Sequence, residues 1–285
     1  MRLKFAPSVI MQRVYFFIFN EVMNTLKHKR LVFLLVLAVV SALSFSCHAE
    51  EFSGKKFYSS LSKRLGRHRT DYPNLTDSEF ANFRMIQTSG IAQGKLFRSS
   101  SPISTWGERN AIADKLSQEA GIKTFINLTD SDGGMKEHKG YKGSYYSQQK
   151  IIGLNLSMKY KSKDFRRSLA RGIHFMAVNE PPYLIHCSLG KDRAGFVCGI
   201  IESLAGASWP EIERDYMRSF YNYFGILPGS QEYDFVMSNE LYRFLSDDFG
   251  VANLSAVNLA EYAEKYLRGI GVSQQDIDTL REKLR

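Results

Sequence analysis

The chain has 285 residues, of which 44% are hydrophobic and 24% charged, and this ordinary globular composition excludes a chain that is disordered throughout. The length is enough for one large domain or two small ones. The formal net charge is +9, but residues 1–49 hold six Lys or Arg against a single acidic residue, so residues 50–285 carry a net charge of only +4. That balance gives no reason to expect a nucleic-acid partner.

The first 49 residues have the pattern of an export signal. The basic run Lys27–Arg30 precedes a 15-residue apolar run and then small residues up to Ala49, which predicts cleavage after Ala49. The apolar run is shorter than the ~20 residues of a membrane-spanning helix, so we expect an exported protein, periplasmic or secreted, with no stable membrane span after cleavage. An uncleaved anchor and a lipoprotein anchored at Cys47 are the alternatives, and Met23 is an alternative start.

The stretch at 50–80 is polar and basic, so we predict a loosely attached leader there and place the folded domain at 81–285. Two cysteines remain in this part of the chain, Cys187 and Cys198, eleven residues apart. An exported protein that relies on disulfides usually carries more cysteines, evenly paired. We therefore predict two free thiols.

Helix and strand patterns alternate along the central part of the chain. The capping-box pattern at Thr105–Glu108 predicts the start of a helix that ends at Ala120, just before a glycine. The apolar runs at 122–128 and 150–156 predict two buried strands, with a loop rich in glycine and lysine between them.

The second half of the chain continues this alternation. Apolar residues recur at steps of four, four and three from Phe165 to Met176, which predicts a helix with one buried face over 164–178. Tyr183–Cys187 is the next predicted strand, and further helices follow, with capping patterns at Ser208–Glu211 and Ser273–Asp276. Strands separated by helices predict an α/β fold: a central, mainly parallel sheet flanked by helices, with a helical C-terminal part.

The segment after the last predicted strand has the composition of an anion-binding loop. It would lie at a helix N-terminus, at the carboxyl edge of the sheet, where backbone N–H groups have no partners within the helix. Gly190 lets the chain curl so that these amides form a cradle, and the planar guanidinium of Arg193 matches two phosphate oxygens. The residues predicted to bind phosphate are Ser188, Leu189, Gly190, Lys191, Asp192 and Arg193.

Cys187 would lie at the base of this loop. The positive potential of the amides and of Arg193 should stabilise its thiolate, which could attack phosphorus in line with the ester oxygen and form a cysteinyl-phosphate that water then hydrolyses. Such chemistry needs no metal and no other cofactor. His186 would orient the loop rather than act as a base, and Cys198 would be a small apolar residue within a helix. A buried structural cysteine ahead of an ordinary turn is the alternative for Cys187.

At these residues the chain resembles the Cys-x5-Arg superfamily of protein tyrosine and dual-specificity phosphatases. The segment HCSLGKDRAG is most similar to the loop His-Cys-x-x-Gly-Lys-Asp-Arg-Thr-Gly of bacterial secreted tyrosine phosphatases, some of which also accept phosphoinositides. Residues 90–102 resemble the strand with which the family's domain begins, and residues 262–285 resemble its C-terminal helical end. One position departs from the pattern: Ala194 replaces a Thr or Ser whose hydroxyl assists release of the thiolate in the family, so turnover of the phosphoenzyme could be slow.

A general acid must protonate the leaving oxygen, and the sequence leaves its identity open. The region where dual-specificity phosphatases place an Asp reads LNLSMKY, with no carboxylate. In the closer bacterial family the acid follows the first buried strand, where Asp130 and Asp132 precede two glycines that suit a mobile loop; a solvated turn is the alternative. Asp192 is a secondary candidate, which could orient Lys191 or the attacking water, and Asp164 is expected to cap a helix instead.

The sequence therefore predicts a phosphomonoester hydrolase of protein tyrosine or dual-specificity type, whose partner is a phosphorylated protein or a phosphoinositide. Lys191 and three lysines of the facing loop would favour a multiply phosphorylated substrate such as a phosphoinositide, whereas solvated surface lysines are the plainer interpretation. The three lysines are Lys136, Lys139 and Lys142.

Two other classes of protein remain open from the sequence. A phosphatase-like module that binds a phosphorylated ligand with little turnover is compatible with Ala194 and with the open choice of acid. A sulfur-transfer or arsenate-reducing enzyme is the weaker alternative, because those chemistries need a shorter loop or additional working cysteines, and here only Cys198 is available.

Overall fold

A computed structural model describes residues 53–285, which form a five-stranded sheet with helices on both sides. The strands are β1 (Arg84–Met85), β2 (Leu96–Ser99), β3 (Thr124–Asn127), β4 (Lys150–Gly153) and β5 (Tyr183–His186). Their order across the sheet is β1-β2-β5-β3-β4. The short β1 pairs antiparallel with β2, and every other pair of neighbours is parallel. The predicted α/β fold with a mainly parallel sheet is thus confirmed.

Helices connect the strands and make up the C-terminal part of the chain. They are α1 (Gly54–Arg64), α2 (Asp77–Phe80), α3 (Asn110–Glu119), α4 (Lys163–Val178), α5 (Asp192–Ala205), α6 (Trp209–Phe224), α7 (Gln231–Asn239), α8 (Leu241–Phe249), α9 (Leu259–Gly269) and α10 (Gln274–Leu284). Within residues 53–285 there is no helix with the length and apolar character needed to cross a bilayer. The predicted export signal, 1–49, lies outside the described residues.

Both faces of the sheet are buried, because successive side chains of a strand point to opposite faces. Ile126 and Ile185 face a core shared with α4, α5 and the C-terminal helices. Phe125 and Leu184 face a second cluster, formed with the connection between β3 and β4. Burial on both faces explains why these strands appear in the sequence as continuous apolar runs rather than as alternating patterns.

The parallel register brings three strand ends to one edge of the sheet. Ser99 of β2 and Asn127 of β3 both pair with His186 of β5, so the segments that follow these residues leave the sheet side by side. Cys187 is the first residue beyond β5. The residues most suited to chemistry therefore collect at the carboxyl edge, as expected for an open α/β sheet.

Most predicted helix starts are confirmed, and one cap is corrected. The carboxylate of Glu211 accepts hydrogen bonds from the N–H and hydroxyl of Ser208 just before α6, and the hydroxyl of Ser273 caps α10. Helix α4 is capped by Ser162, whose Oγ accepts from the N–H of Phe165 at 3.2 Å. The prediction that Asp164 caps this helix was wrong, because the preceding serine already occupies the N-cap position.

Helix α3 begins later than the capping-box pattern Thr105–Glu108 predicted. The carboxylate of Glu108 does not turn back to Thr105: it accepts a hydrogen bond from the N–H of Arg69 at 3.0 Å and lies 2.9 Å from Nδ1 of His68. Gly107 and Glu108 have φ angles of 78° and 57°, which interrupt any helix. A contact with a distant segment thus overrides the local pattern.

Residues 54–80 are integrated into the fold. Phe57 and Leu61 of α1 are 5% and 6% exposed, and the ring of Phe57 packs edge-on against that of Phe235 with 5.4 Å between centroids. Residues 54–285 form one compact unit. The expectation of a loosely attached leader was therefore wrong for this stretch, because its apolar residues cover the C-terminal helices.

The burial of α1 predicts that it contributes to stability. We expect Phe57→Ala to lower the free energy of unfolding by about 3 kcal/mol, because it removes a buried aromatic ring and leaves a cavity. Urea denaturation followed by circular dichroism measures the change, with Lys63→Ala, an exposed position on the same helix, as the matched control. Equal stability of the two variants would show that α1 does not stabilise the domain.

Candidate active site

The segment from Cys187 to Lys191 forms a tight loop between β5 and α5. Cys187 is 3% exposed, while Ser188 is exposed and Arg193 is half-buried. Helix α5 begins at Asp192. The sulfur therefore lies at the bottom of a loop that opens to solvent, at the N-terminal end of a helix, where the structure brings together all the residues predicted to bind phosphate.

Buried side chains from other elements hold the backbone carbonyls of this loop. The carbonyl oxygen of Leu189 accepts hydrogen bonds from Asn82 Nδ2 at 3.1 Å and from the hydroxyl of Tyr223 at 2.7 Å. The carbonyl oxygen of Gly190 accepts from Arg98 Nη2 at 2.8 Å and from Asn82 Nδ2 at 3.2 Å. These donors come from the segment before β1, from β2 and from α6.

Two further carbonyls of the loop also accept hydrogen bonds, one from a side chain and one from a backbone N–H. The carbonyl oxygen of Lys191 accepts from Arg98 Nη2 at 3.0 Å, and that of Ser188 accepts from the N–H of Ser101 at 3.2 Å. In a trans peptide the C=O and the N–H of one unit point in opposite directions. Fixing four consecutive carbonyls toward the protein therefore turns the N–H groups of residues 189–192 toward the inside of the loop, which suits an anion.

The donor Arg98 is itself held by a buried ion network. Its guanidinium is fully buried and pairs with Asp215, and Nε of Arg84 lies 2.7 Å from the other carboxylate oxygen of Asp215. Burial opposes the ionisation of Asp215, but the charges of Arg84 and Arg98 outweigh it and hold the pKa of the carboxyl below its usual range. Asp215 therefore stays ionised and fixes the side chain that positions the loop.

Gly190 is required by both backbone conformation and space. Its φ is +67°, in the left-handed region, and a Cβ at this position would lie 2.1 Å from the carbonyl oxygen of Ser99. No side chain fits there without moving β2. The prediction that Gly190 lets the chain curl at this point is therefore confirmed.

Arg193 spans the mouth of the loop. Its Nη2 donates to Oγ of Ser188 at 3.1 Å and its Nη1 donates to the carbonyl oxygen of Leu156 at 3.1 Å. These two bonds leave the guanidinium beside the loop opening, where its planar fork can meet an oxyanion.

Lys191 is not a free second cation. Its ammonium group pairs with the carboxylate of Asp192 and lies 4.2 Å from the centroid of the Phe220 ring. The predicted contact between Lys191 and Asp192 is therefore present, and it neutralises the lysine. The three lysines of the facing loop, at 136, 139 and 142, are exposed, and none forms an ion pair with any residue of the described part of the chain.

His186, next to Cys187, is fully buried, and its Nε2 lies 3.3 Å from the hydroxyl of Tyr146. Burial lowers the pKa of this imidazole to about 3, even though the negative charge of Asp130 opposes the shift. The ring is therefore neutral near pH 7 and a very weak base. This agrees with the expectation that His186 has an orienting role and is not a base.

The structure distinguishes the two aspartates that follow β3. The Asp130 side chain is 15% exposed, with Oδ2 accepting from Asn127 Nδ2 at 3.1 Å and Oδ1 lying 3.1 Å from His138 Nε2. Asp132 is exposed, and its Oδ1 accepts a hydrogen bond from the N–H of Gly153 at 2.6 Å. Only Asp130 combines partial burial with an electrostatic effect on the residue that precedes the cysteine.

Sequence reasoning missed the residues that position the loop. Arg98 left one signal, since an arginine within a short buried strand is rarely found without a specific partner. Asn82, Asp215 and Tyr223 left none. Asn82 lies before β1, Asp215 and Tyr223 lie on α6, and all three are ordinary residues in their local patterns.

The steric role of Gly190 yields a controlled test. We expect Gly190→Ala to abolish binding of inorganic phosphate, because the new Cβ displaces the backbone of β2 and turns the loop amides. Gly225→Ala is the matched control: its φ is +66° and a Cβ there meets nothing within 4 Å, so it should cost only about 1 kcal/mol of stability.

Phosphate binding to each variant is measured by isothermal titration, and folding by circular dichroism. Binding that survives Gly190→Ala in a folded protein would show that the loop does not need the observed conformation to hold an anion.

The chain is similar in sequence to known proteins. Residues 79–285 match the sequence profile of the tyrosine phosphatase family. A tyrosine-protein phosphatase of Nostoc commune is 33% identical over 114 residues, which are 35% of this chain and 38% of the relative. The match thus spans well under half of the length of that relative.

Two solved structures are also similar to the chain. The core catalytic domain of the PP-IP phosphatase SIW14 from S. cerevisiae is 20% identical with a TM-score of 0.36, covering 59% of this chain and 92% of that domain. TpbA of P. aeruginosa, solved in complex with pTyr, is 16% identical with a TM-score of 0.34, covering 58% of this chain and 94% of TpbA. Because the family profile extends over most of its length, the chain belongs to the tyrosine phosphatase family.

Proposed function

We propose that this protein hydrolyses phosphomonoesters through a cysteinyl-phosphate formed on Cys187. One observation carries the proposal: the carbonyls of four consecutive residues, 188–191, are hydrogen-bonded away from the loop interior, above a buried cysteine and beside Arg193. Inward N–H groups and a guanidinium together bind a dianionic phosphate and stabilise charge that develops on its oxygens in the transition state.

The reaction has two steps. The thiolate of Cys187 forms a bond to phosphorus while the bond to the ester oxygen breaks, and the general acid gives its proton to the departing oxygen. Water then attacks the phosphorus of the cysteinyl-phosphate, its proton returns to the same carboxylate, and inorganic phosphate and the thiolate are released. The loop amides and Arg193 hold the three non-reacting oxygens throughout.

Asp130 is the better-supported general acid of the two candidates. Its negative charge acts on His186, directly before the nucleophile, and its hydrogen bonds to Asn127 and His138 fix the carboxyl at the carboxyl edge of the sheet. Asp132 is exposed, and its Oδ1 already accepts a hydrogen bond from the N–H of Gly153. We assign Asp132 a structural role in tying the loop to β4.

The substrate class that we favour is a phosphorylated protein, at tyrosine or with dual specificity. The pairing of Lys191 with Asp192 removes one of the cations on which a phosphoinositide would depend, so the lipid remains the second candidate. Export, to the periplasm or beyond, rests on the pattern of residues 1–49 and is proposed on that ground.

The nucleophile is tested by Cys187→Ser in the protein that begins at residue 50. We expect hydrolysis of p-nitrophenyl phosphate to fall to the background rate, because a serine hydroxyl at this position is not ionised near pH 7. The control is Cys198→Ala: this thiol is also free and buried, but it lies within α5 and burial raises its pKa, so activity should persist.

Sustained activity of Cys187→Ser would contradict the proposal. The time course of the unaltered protein also tests the alternative of a binding module, which the buried Ala194 favours because the family's hydroxyl is missing there. Release of one equivalent of product per protein, followed by almost no further release, would indicate the binding module. Steady turnover would indicate the enzyme.

The general acid is tested by comparing leaving groups. We expect Asp130→Asn to reduce kcat at least ~10²-fold for phenyl phosphate, whose leaving oxygen needs a proton, and far less for p-nitrophenyl phosphate. Asp132→Asn, the matched control, should affect both substrates equally and weakly. If Asp132→Asn, and not Asp130→Asn, reduced kcat far more for phenyl phosphate than for p-nitrophenyl phosphate, Asp132 would be the general acid.

A further inference from the structure

A stripe of basic side chains runs along the outer face of α4. The face of this helix that bears Phe165, Leu169 and Ile173 is buried, and the stripe lies on another face. Its members stand at helical positions i, i+3, i+4, i+8 and i+11, so they share one side of the helix. They are Lys163, Arg166, Arg167, Arg171 and His174.

The stripe forms one wall of a groove of about 670 Å³. The other wall is the turn between α9 and α10, residues 269–273. Small residues keep the groove open: Ala170 lies between the basic side chains, and a Cβ added at Gly269 or Gly271 would meet nothing within 4 Å. The volume lies within the ~300–1,000 Å³ of typical ligand sites.

The positive charge of the groove is only partly neutralised. Arg166 pairs with Asp248 at 2.8 Å and His174 lies 3.0 Å from Asp276. Arg167 lies 3.7 Å from Asp164, but both side chains are more than 70% exposed, so this pair is weak.

The remaining two cations are open to a ligand. Lys163 and Arg171 are exposed, and neither forms an ion pair within residues 53–285. The groove therefore presents uncompensated positive charge from both a lysine and an arginine.

We propose that this groove binds an extended, acidic polypeptide segment of a partner protein. The stripe spans twelve residues of helix, so its ends lie about 16 Å apart at 1.5 Å per step. About five residues of extended chain cover that distance. A single phosphate would reach only one or two of these cations, whereas carboxylates spaced along a peptide can meet Lys163, Arg167 and Arg171 together. Arginine forks match carboxylates in bidentate geometry.

The site is separate from the catalytic loop. None of the residues that line the groove belongs to the segment 187–193, so binding there does not depend on the proposed hydrolysis. The two proposals can therefore fail independently.

Fluorescence anisotropy with a labelled, unphosphorylated Glu-rich octapeptide tests the groove. We expect Lys163→Gln/Arg171→Gln to weaken binding about tenfold, because two of the charges that face the peptide are lost. Affinity should also fall as salt is raised from about 50 to about 300 mM, since exposed charges are screened. Hydrolysis of p-nitrophenyl phosphate by the double variant should be unchanged.

The matched control is Lys123→Gln/Lys150→Gln, which removes the same charge from two exposed lysines outside the groove. A Gln-rich octapeptide controls for the acidic side chains. Equal affinity of the two double variants, equal affinity of the two peptides, or no binding of the acidic peptide would overturn the proposal. A further result would also overturn the proposal: the acidic peptide does not bind, but Lys163→Gln/Arg171→Gln weakens the binding of inorganic phosphate. That result would indicate a small-anion site.

Discussion

The site depends on the hydrogen bonds that the carbonyls of residues 188–191 accept from outside the loop. Buried side chains donate to the carbonyls of residues 189–191, and the N–H of Ser101 donates to that of Ser188. A short loop lacks the regular backbone hydrogen bonds that fix the peptide planes of a helix or a sheet. Each plane could therefore rotate its N–H away from a bound anion. Asn82, Arg98 and Tyr223 remove that freedom from outside the loop. Hydrogen bonds of this kind contribute ~0.5–1.5 kcal/mol each, and more when the donor is charged, so together they strongly favour one loop conformation.

The same network determines the electrostatic field behind the loop. Arg84 and Arg98 bring two positive charges into the interior and Asp215 brings one negative charge. Burial raises the pKa of the neighbouring Glu202 carboxyl well above its usual range, which favours its neutral form. Arg84, Arg98 and Asp215 together carry a net charge of +1 next to the backbone that holds the phosphate, which favours an anion there. Asp215 also offsets the cost of burying the arginines.

The sequence was sufficient to predict the structural features that depend on contiguous residues. The sheet, α4, α6 and α10 could be predicted because their apolar periods and caps are local, and the loop at 187–193 because its residues adjoin one another. Predictions were wrong where a distant contact overrides a local pattern. The carboxylate of Glu108 contacts His68 and Arg69 and does not cap its own helix. Asn82, Asp215 and Tyr223 were beyond reach for the same reason, since only the fold brings them to the loop.

The small residues at the start of α5 belong to this same arrangement. Gly195 has no unusual φ, yet a Cβ there would lie 2.5 Å from the ring of Tyr216 and 3.0 Å from Nη2 of Arg98. Glycine inside a helix costs about 0.5–1 kcal/mol relative to alanine, and here that cost gives the Arg98 guanidinium room to reach the carbonyls of Gly190 and Lys191. The loop sequence thus satisfies two requirements at once: its amides and Arg193 face the phosphate, and its glycines admit the backbone and side chains that hold those amides in place.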